Sequence, residues 1–467
     1  MLKKIAVAFS LSLLLTVQAT AQSAGETALS AVRRSDASSG GASVPKLAPA
    51  EHMRRAAVYL ANRAFDEARA HWQALVANYP QDPLVPEALF GIGRSYFLAK
   101  DYQDGYVAFN DLFRQYPNTK EGREALNFSA ASLLRMGKAS ESAARYEEYI
   151  NRFPTGERID TAHLNMIDTL REAGRPADAL VWVAKTRQRF AGSATETNAM
   201  FAALRLYVAE DDWSNSIQMA EDLSKRNFAK AVDTSRAEVA YLRAYSLEKS
   251  GRKEEAFQAY LAIPDGVDSY YGWLATKRLP YLNNTPNTVR VDDRIDDVNR
   301  AIAKVADSYP APYRQTILSA AKARKLDPRF ILALIKQESV FKPFAKSPAG
   351  ARGLLQLTMD AAQKYASGAG LNALRENQLY QPDTSITLGA EYLKYLVQLF
   401  PEMLEPVAAS YNGGEDNVAR WLDRAKRKDP GVFTAEIGFD ETKGYVQKVM
   451  SNYRVYLQLY TPDLIRK

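Results

Sequence analysis

Glu338 is the residue whose placement first suggests chemistry. Asp327-Pro328 marks a helix start, with a capping side chain followed by proline at the first helical position. From there Arg329 to Glu338 reads as a helix, and Ile335, Leu334 and Ile331 stand three, four and seven residues before Glu338. The carboxyl therefore falls on the apolar face of its own helix. Two readings are open. A buried glutamate ordinarily pairs with a nearby lysine or arginine, and on this helix alone that is the stronger reading. The other is a carboxyl kept protonated near neutral pH, because desolvation and the negative helix end both disfavour its anion. Such a group can act as the general acid that breaks a glycosidic bond. The next segment of the chain favours the second reading: Ser339, Phe341 and Ser347, then Gly350-Ala351-Arg352-Gly353-Leu354-Leu355-Gln356, whose glycines permit close backbone approach.

Other chemistries are excluded by composition. The chain has no cysteine, so thiol nucleophiles and disulfides are out, and its 3 histidines, His52, His71 and His163, are scattered without ligand spacing. No metal and no cofactor are expected. The formal charge of +7 includes Lys3 and Lys4, and the rest of the chain holds no run of clustered Lys or Arg, so nucleic acid is not an expected partner.

Four linked stretches carry a resemblance. Glu338-Ser339-Val340-Phe341, Ser347-Pro348-Ala349-Gly350-Ala351-Arg352-Gly353-Leu354-Leu355-Gln356, Ser410-Tyr411-Asn412-Gly413-Gly414 and Glu441-Thr442-Lys443-Gly444-Tyr445-Val446 resemble, in order and spacing, the soluble lytic transglycosylases. Gln381-Pro382-Asp383 with Gly389, Tyr392 and Leu393 is similar to that family's connecting helix, so the likeness runs from about Tyr309 to Tyr460. It implies a goose-lysozyme-like α-domain cleaving the bond between N-acetylmuramic acid and N-acetylglucosamine in peptidoglycan. It further implies Glu338 as the catalytic residue, first protonating the leaving oxygen and then accepting the C6 hydroxyl proton as a 1,6-anhydro ring closes. Ser347 matches a position that hydrogen-bonds near the acid, Gln356 one that faces the sugar, Tyr411-Asn412 the motif bordering the cleavage point, and Glu441 an acid at the far wall of the groove. For Gln356, Tyr411 and Asn412 the plainer reading is capping or polar pairing in the core, and for Glu441 it is a helix cap. A glycosidase that uses water needs a second carboxyl across the ring, and only Glu441 and Asp440 are motif-borne candidates for it. Leu355, Thr358, Gly413 and Gly438 depart from the family's usual Met, Pro, Ala and Pro, all at packing or loop positions.

The elements that would position these residues begin much earlier. Met1-Leu2-Lys3-Lys4, the apolar run Ile5 to Val17 and Ala19-Thr20-Ala21 read as a secretory signal over residues 1–21, too short to span a bilayer. Residues 22–50, rich in Ala, Ser, Gly and Pro, read as a disordered tether. Tyr79, Tyr116, Phe153 and Phe190 then recur at steps of 37 residues, each after an apolar pattern of helical spacing. Phe65, Tyr102, Ala139, Pro176 and Trp213 keep the same step, and Glu254 to Pro264 is a looser unit. Each period accommodates a helix pair, and a lone pair cannot bury its apolar face, so residues 51–282 are expected to stack as a tetratricopeptide-like superhelix. Polar, turn-rich residues 283–300 read as a linker, and 301–467 as the lysozyme-like catalytic domain. No window alternates like a strand, so the fold class is all-α.

The expected protein is an exported, periplasmic enzyme acting on peptidoglycan strands, at most peripheral to the membrane or wall, with the repeats offered to a cell-wall protein partner. Two rivals stand beside it. One is a muramidase that admits water at the same bond, and the other a non-catalytic scaffold that only grips glycan.

Overall fold

The computed structural model describes residues 27–38, 44–282, 288–347 and 349–467. The signal sequence expected over 1–21 lies outside them. Among the described residues there are helices and isolated bridges but no strand, and no helix is long and apolar enough to cross a membrane. The chain is all-α and divides into two compact units, one reaching Arg175 and the other running from Pro176 to Lys467.

In the first unit the helices α2 (Pro49–Ala61), α3 (Phe65–Asn78), α4 (Val85–Leu98), α5 (Tyr102–Gln115), α6 (Lys120–Arg135), α7 (Ala139–Arg152) and α8 (Ile159–Glu172) pack each against the next. The 37-residue step is physical: α3, α5 and α7 begin at Phe65, Tyr102 and Ala139, and Tyr79, Tyr116 and Phe153 cap the ends of these three helices. The buried faces carry Trp72, Leu75, Phe109, Leu112, Tyr146 and Tyr149, a pair spaced three apart within each helix.

The tether expected over 22–50 is corrected in part. Residues 27–38 form a helix, α1, which buries Val32 against Ala56, Tyr59, Trp72 and Leu75. Asp36 anchors it, accepting from the Tyr59 hydroxyl (2.6 Å) and from the Arg55 guanidinium, with His71 Nε2 at 3.2 Å. His71 is itself 3.1 Å from the ring of His52, and burial holds both imidazoles below their ordinary pKa. Few apolar residues made this stretch look unable to fold, but a half-buried carboxylate supplies docking that apolar area does not.

The second unit continues the step with α9 (Pro176–Arg189), α10 (Ala194–Ala209), α11 (Trp213–Ser224), α12 (Arg236–Lys249), α13 (Lys253–Leu261) and α14 (Tyr270–Leu282). The expected linker at 283–300 is also corrected, since α15 occupies Thr288–Lys304. Val291, Val298 and Ile302 are buried along one side, an apolar stripe at helical spacing hidden among charged residues, and Arg294 donates to the carbonyls of Leu261 and Ile263. Then come α16 (Arg314–Arg324), α17 (Pro328–Ser339), α18 (Met359–Ala366), α19 (Pro382–Leu399), α20 (Leu404–Gly413), α21 (Glu415–Ala425), α22 (Pro430–Glu436) and α23 (Asp440–Leu459). One continuous set of buried side chains reaches from Met200 to Leu464, so the last helix pairs and the C-terminal domain share a core. At its centre lies α17, whose Ile331 to Ile335 are fully buried, packed on α23.

Candidate active site

Helix α17 is fixed at its start by Asp327, which caps the Arg329 amide (2.9 Å) and accepts from the Tyr453 hydroxyl of α23 (2.9 Å). It ends abruptly. Val340 and Phe341 both take left-handed backbone angles (φ 49° and 59°), a conformation costly for a β-branched residue, and the chain turns away after Ser339, the residue following Glu338.

Glu338 thus sits in the last turn, partly exposed on a helix whose remaining face is core. Burial raises its pKa to about 7, and the Tyr445 hydroxyl, donating to Oε1 at 2.6 Å, opposes that rise. Among the described residues no cation is paired with it, so the reading of Glu338 as half of a buried ion pair does not hold. Burial and the neighbouring carboxyl keep the phenols of Tyr445 and Tyr411 protonated far above the ordinary value, so both remain hydrogen-bond donors.

The loop after α17 folds on itself. Gly350 donates to the Ser347 carbonyl (2.9 Å), Ser347 N–H to the Ala351 carbonyl (2.8 Å), and Ala351 N–H to the Ser347 hydroxyl (3.1 Å). Gly353 has φ 77°, and a Cβ there would run into the Leu379 carbonyl oxygen, so only glycine fits. Gln356 is also left-handed (φ 45°), and its side-chain amide donates to the carbonyls of Gly353 (2.8 Å) and Ala345 (3.0 Å). Leu355, one of the departures from the family pattern, is fully buried, where Gly389 of α19 lets it approach closely. Its carbonyl accepts the Tyr411 hydroxyl (2.7 Å), and the rings of Tyr411, Tyr392 and Tyr365 succeed one another at 5.1 and 4.8 Å.

The structure therefore brings Glu338, Tyr411 and Tyr445 together, with Ser347 and Gln356 shaping the loop beside them. Asn412 is exposed, and its Oδ1 accepts from Thr442 of α23 (2.6 Å). Glu441 and Asp440 are exposed in the first turn of α23, where the helix dipole favours carboxylates. Tyr445 is the residue that sequence reasoning left without a role. Its signal was present in the run from Glu441 to Val446, but the partner lies 107 residues away.

Residues 315–433 match the family described as transglycosylase SLT domain, and residues 53–118 match a tetratricopeptide repeat. The C-terminal part of the chain is thus similar to lytic transglycosylases over the residues that this domain matches. A Haemophilus influenzae relative is 36% identical over 216 residues, covering 46% of this chain and 35% of its own. The soluble lytic murein transglycosylase of Escherichia coli K12 is 32% identical over 161 residues, covering 34% of this chain and 24% of that one. The alignments thus span about a third or less of these relatives' length. Among solved structures, lytic transglycosylase Slt from Pseudomonas aeruginosa covers 89% of this chain and 88% of its own at 20% identity and a TM-score of 0.46.

Proposed function

We propose that this chain is a peptidoglycan lytic transglycosylase, cleaving the β-1,4 bond between N-acetylmuramic acid and N-acetylglucosamine to leave a 1,6-anhydro-muramic end. The observation that carries this reading is Glu338, a carboxyl that burial leaves half-protonated near pH 7, with a phenol donating to it. The protonated Glu338 gives its proton to the glycosidic oxygen as the C1–O bond breaks. The resulting carboxylate then takes the proton of the C6 hydroxyl, whose oxygen bonds to C1, so the acid is restored and no water is consumed. Tyr445 suits this alternation, because its hydrogen bond strengthens when the carboxyl becomes an anion.

Hydrolysis would need a second carboxyl to activate water. Asp440 and Glu441 lie exposed in the first turn of α23, and neither shifts the Glu338 pKa. Within this reading Ser347 and Gln356 hold the loop, and Tyr411, Asn412 and Glu441 border the glycan. Export to the periplasm and a protein partner on the helix pairs belong to the same proposal. Crosslinking the full-length protein in cells checks the partner, and capture of the chain alone would remove it.

Mass spectrometry of soluble products from purified sacculi, with Glu338→Gln run beside the wild type, tests the activity. Anhydro-muropeptides, lost in the variant, are expected. Reducing muropeptides would make the protein a muramidase, and no product from either protein would leave a glycan-binding scaffold.

A further inference from the structure

The first two turns of α23 send three side chains to three places. Thr442 donates to Asn412, Tyr445 donates to Glu338, and Lys443 leaves the domain altogether. Its ammonium donates to the Asp233 carbonyl (3.0 Å), lies 3.3 Å from Glu238 Oε1 and faces the ring of Phe201 at 5.0 Å. All three of those partners belong to the helix pairs that precede the domain.

Glu238 is built for this contact. It is 1% exposed in the first turn of α12, its amide is capped by Ser235 (3.1 Å), and its carboxylate accepts from Tyr271 (2.8 Å) and Thr234 (2.8 Å). Tyr271 lies in the first turn of α14, a helix the proposed activity does not use. Lys443 is 7% exposed, so neither charge can fall back on water if the other is removed. At 3.6 residues per turn, two positions are about 200° apart around a helix. Lys443 thus grips α23 from the side opposite Tyr445.

We propose that Glu238 is a positioning residue, which through Lys443 holds α23 in the register that sets the Tyr445 hydroxyl on Glu338. The inference rests on the proposed activity for its meaning but not for its test. The helix pairs would then be part of the catalytic apparatus, fixing how firmly the acid holds its proton.

The test is a titration of the Glu338 carboxyl by carbon-13 NMR, assigned by its loss in Glu338→Gln, in the wild type and in Tyr445→Phe, Glu238→Gln and Lys443→Met. Removing a donor to the anion weakens ionisation, so Tyr445→Phe should raise the Glu338 pKa. Glu238→Gln and Lys443→Met should each raise it in the same direction, by about a tenfold weaker ionisation. Glu238→Gln added to Tyr445→Phe should add nothing. Product release should change in parallel, with kcat falling about tenfold, KM within twofold and the alkaline limb of the profile displaced upward.

A wild-type titration in Glu238→Gln overturns the proposal, whatever stability that variant loses. If Glu238→Gln does not fold, Tyr271→Phe removes one donor to Glu238 and leaves both charges, and it must move the titration in the same direction. A wild type that titrates as described but yields no anhydro product overturns the functional reading alone.

Discussion

Two carboxyls in the second unit have the same pKa and different employment. Glu338 and Glu405 are both raised by burial to about 7. Glu338 is in the last turn of α17, partly exposed, beside a loop with a positive-φ glycine and two phenols. Glu405 is in the first turn of α20, 4% exposed, with the Tyr270 hydroxyl 3.5 Å away and that hydroxyl also bonded to Thr434 (2.9 Å). A perturbed pKa identifies a candidate site only together with access. Glu405 can hold a proton but has nowhere to deliver it.

The sharpest way to break this contrast is activity. Glu338→Gln should lower anhydro-muropeptide release by about 10²–10⁴-fold, and Glu405→Gln should stay within about twofold of wild type. Equal losses would show that burial alone, and not access, selects the group. Next in size is the pH profile. In the proposed mechanism activity depends on protonated Glu338, so release should decline as pH rises through about 7, and Glu405→Gln should leave that limb in place.

Stability should reverse the distinction, since it responds to burial alone. A carboxyl with a folded pKa of about 7 and an ordinary one in the unfolded chain binds more protons when folded. Its contribution is fully present below about pH 4.3 and is lost as pH rises to about 7, a decline on the order of 3 kcal/mol for each group. Glu405→Gln and Glu338→Gln should each flatten the urea-unfolding free energy over that range by a similar amount, and a steeper slope in either would count against it. The smallest effect belongs to the other unit. Asp36→Asn weakens the docking of α1 and should cost about 1 kcal/mol, visible as faster proteolytic removal of α1 with activity unchanged.

Local patterns were legible in the sequence, and contacts across the chain were not. The 37-residue step located the starts of α3, α5, α7, α9 and α11, because each pair repeats the same short-range packing. The apolar face under Glu338 was legible for the same reason. Helices α1 and α15 were missed where composition was taken for order. Asp36 and Arg294 dock them through polar groups that no apolar count registers. Ser347 and Gln356 were placed near the acid by resemblance, but their bonds to Ala351, Gly353 and Ala345 depend on a loop conformation no pattern encodes. Tyr445 and Lys443 stood in a recognised motif, yet what each touches became visible only with α17 and α12 in place.

The shared core from Met200 to Leu464 has a consequence for synthesis. The apolar faces of α10, α12 and α14 leave the ribosome well before the residues that cover them. At about 5–20 residues per second, the stretch from Leu279 to Leu464 takes roughly 10–40 s to appear. Over that interval the nascent chain shows Tyr241, Tyr270 and Tyr271 to whatever is nearby, and holding it apart from other chains is work for a chaperone.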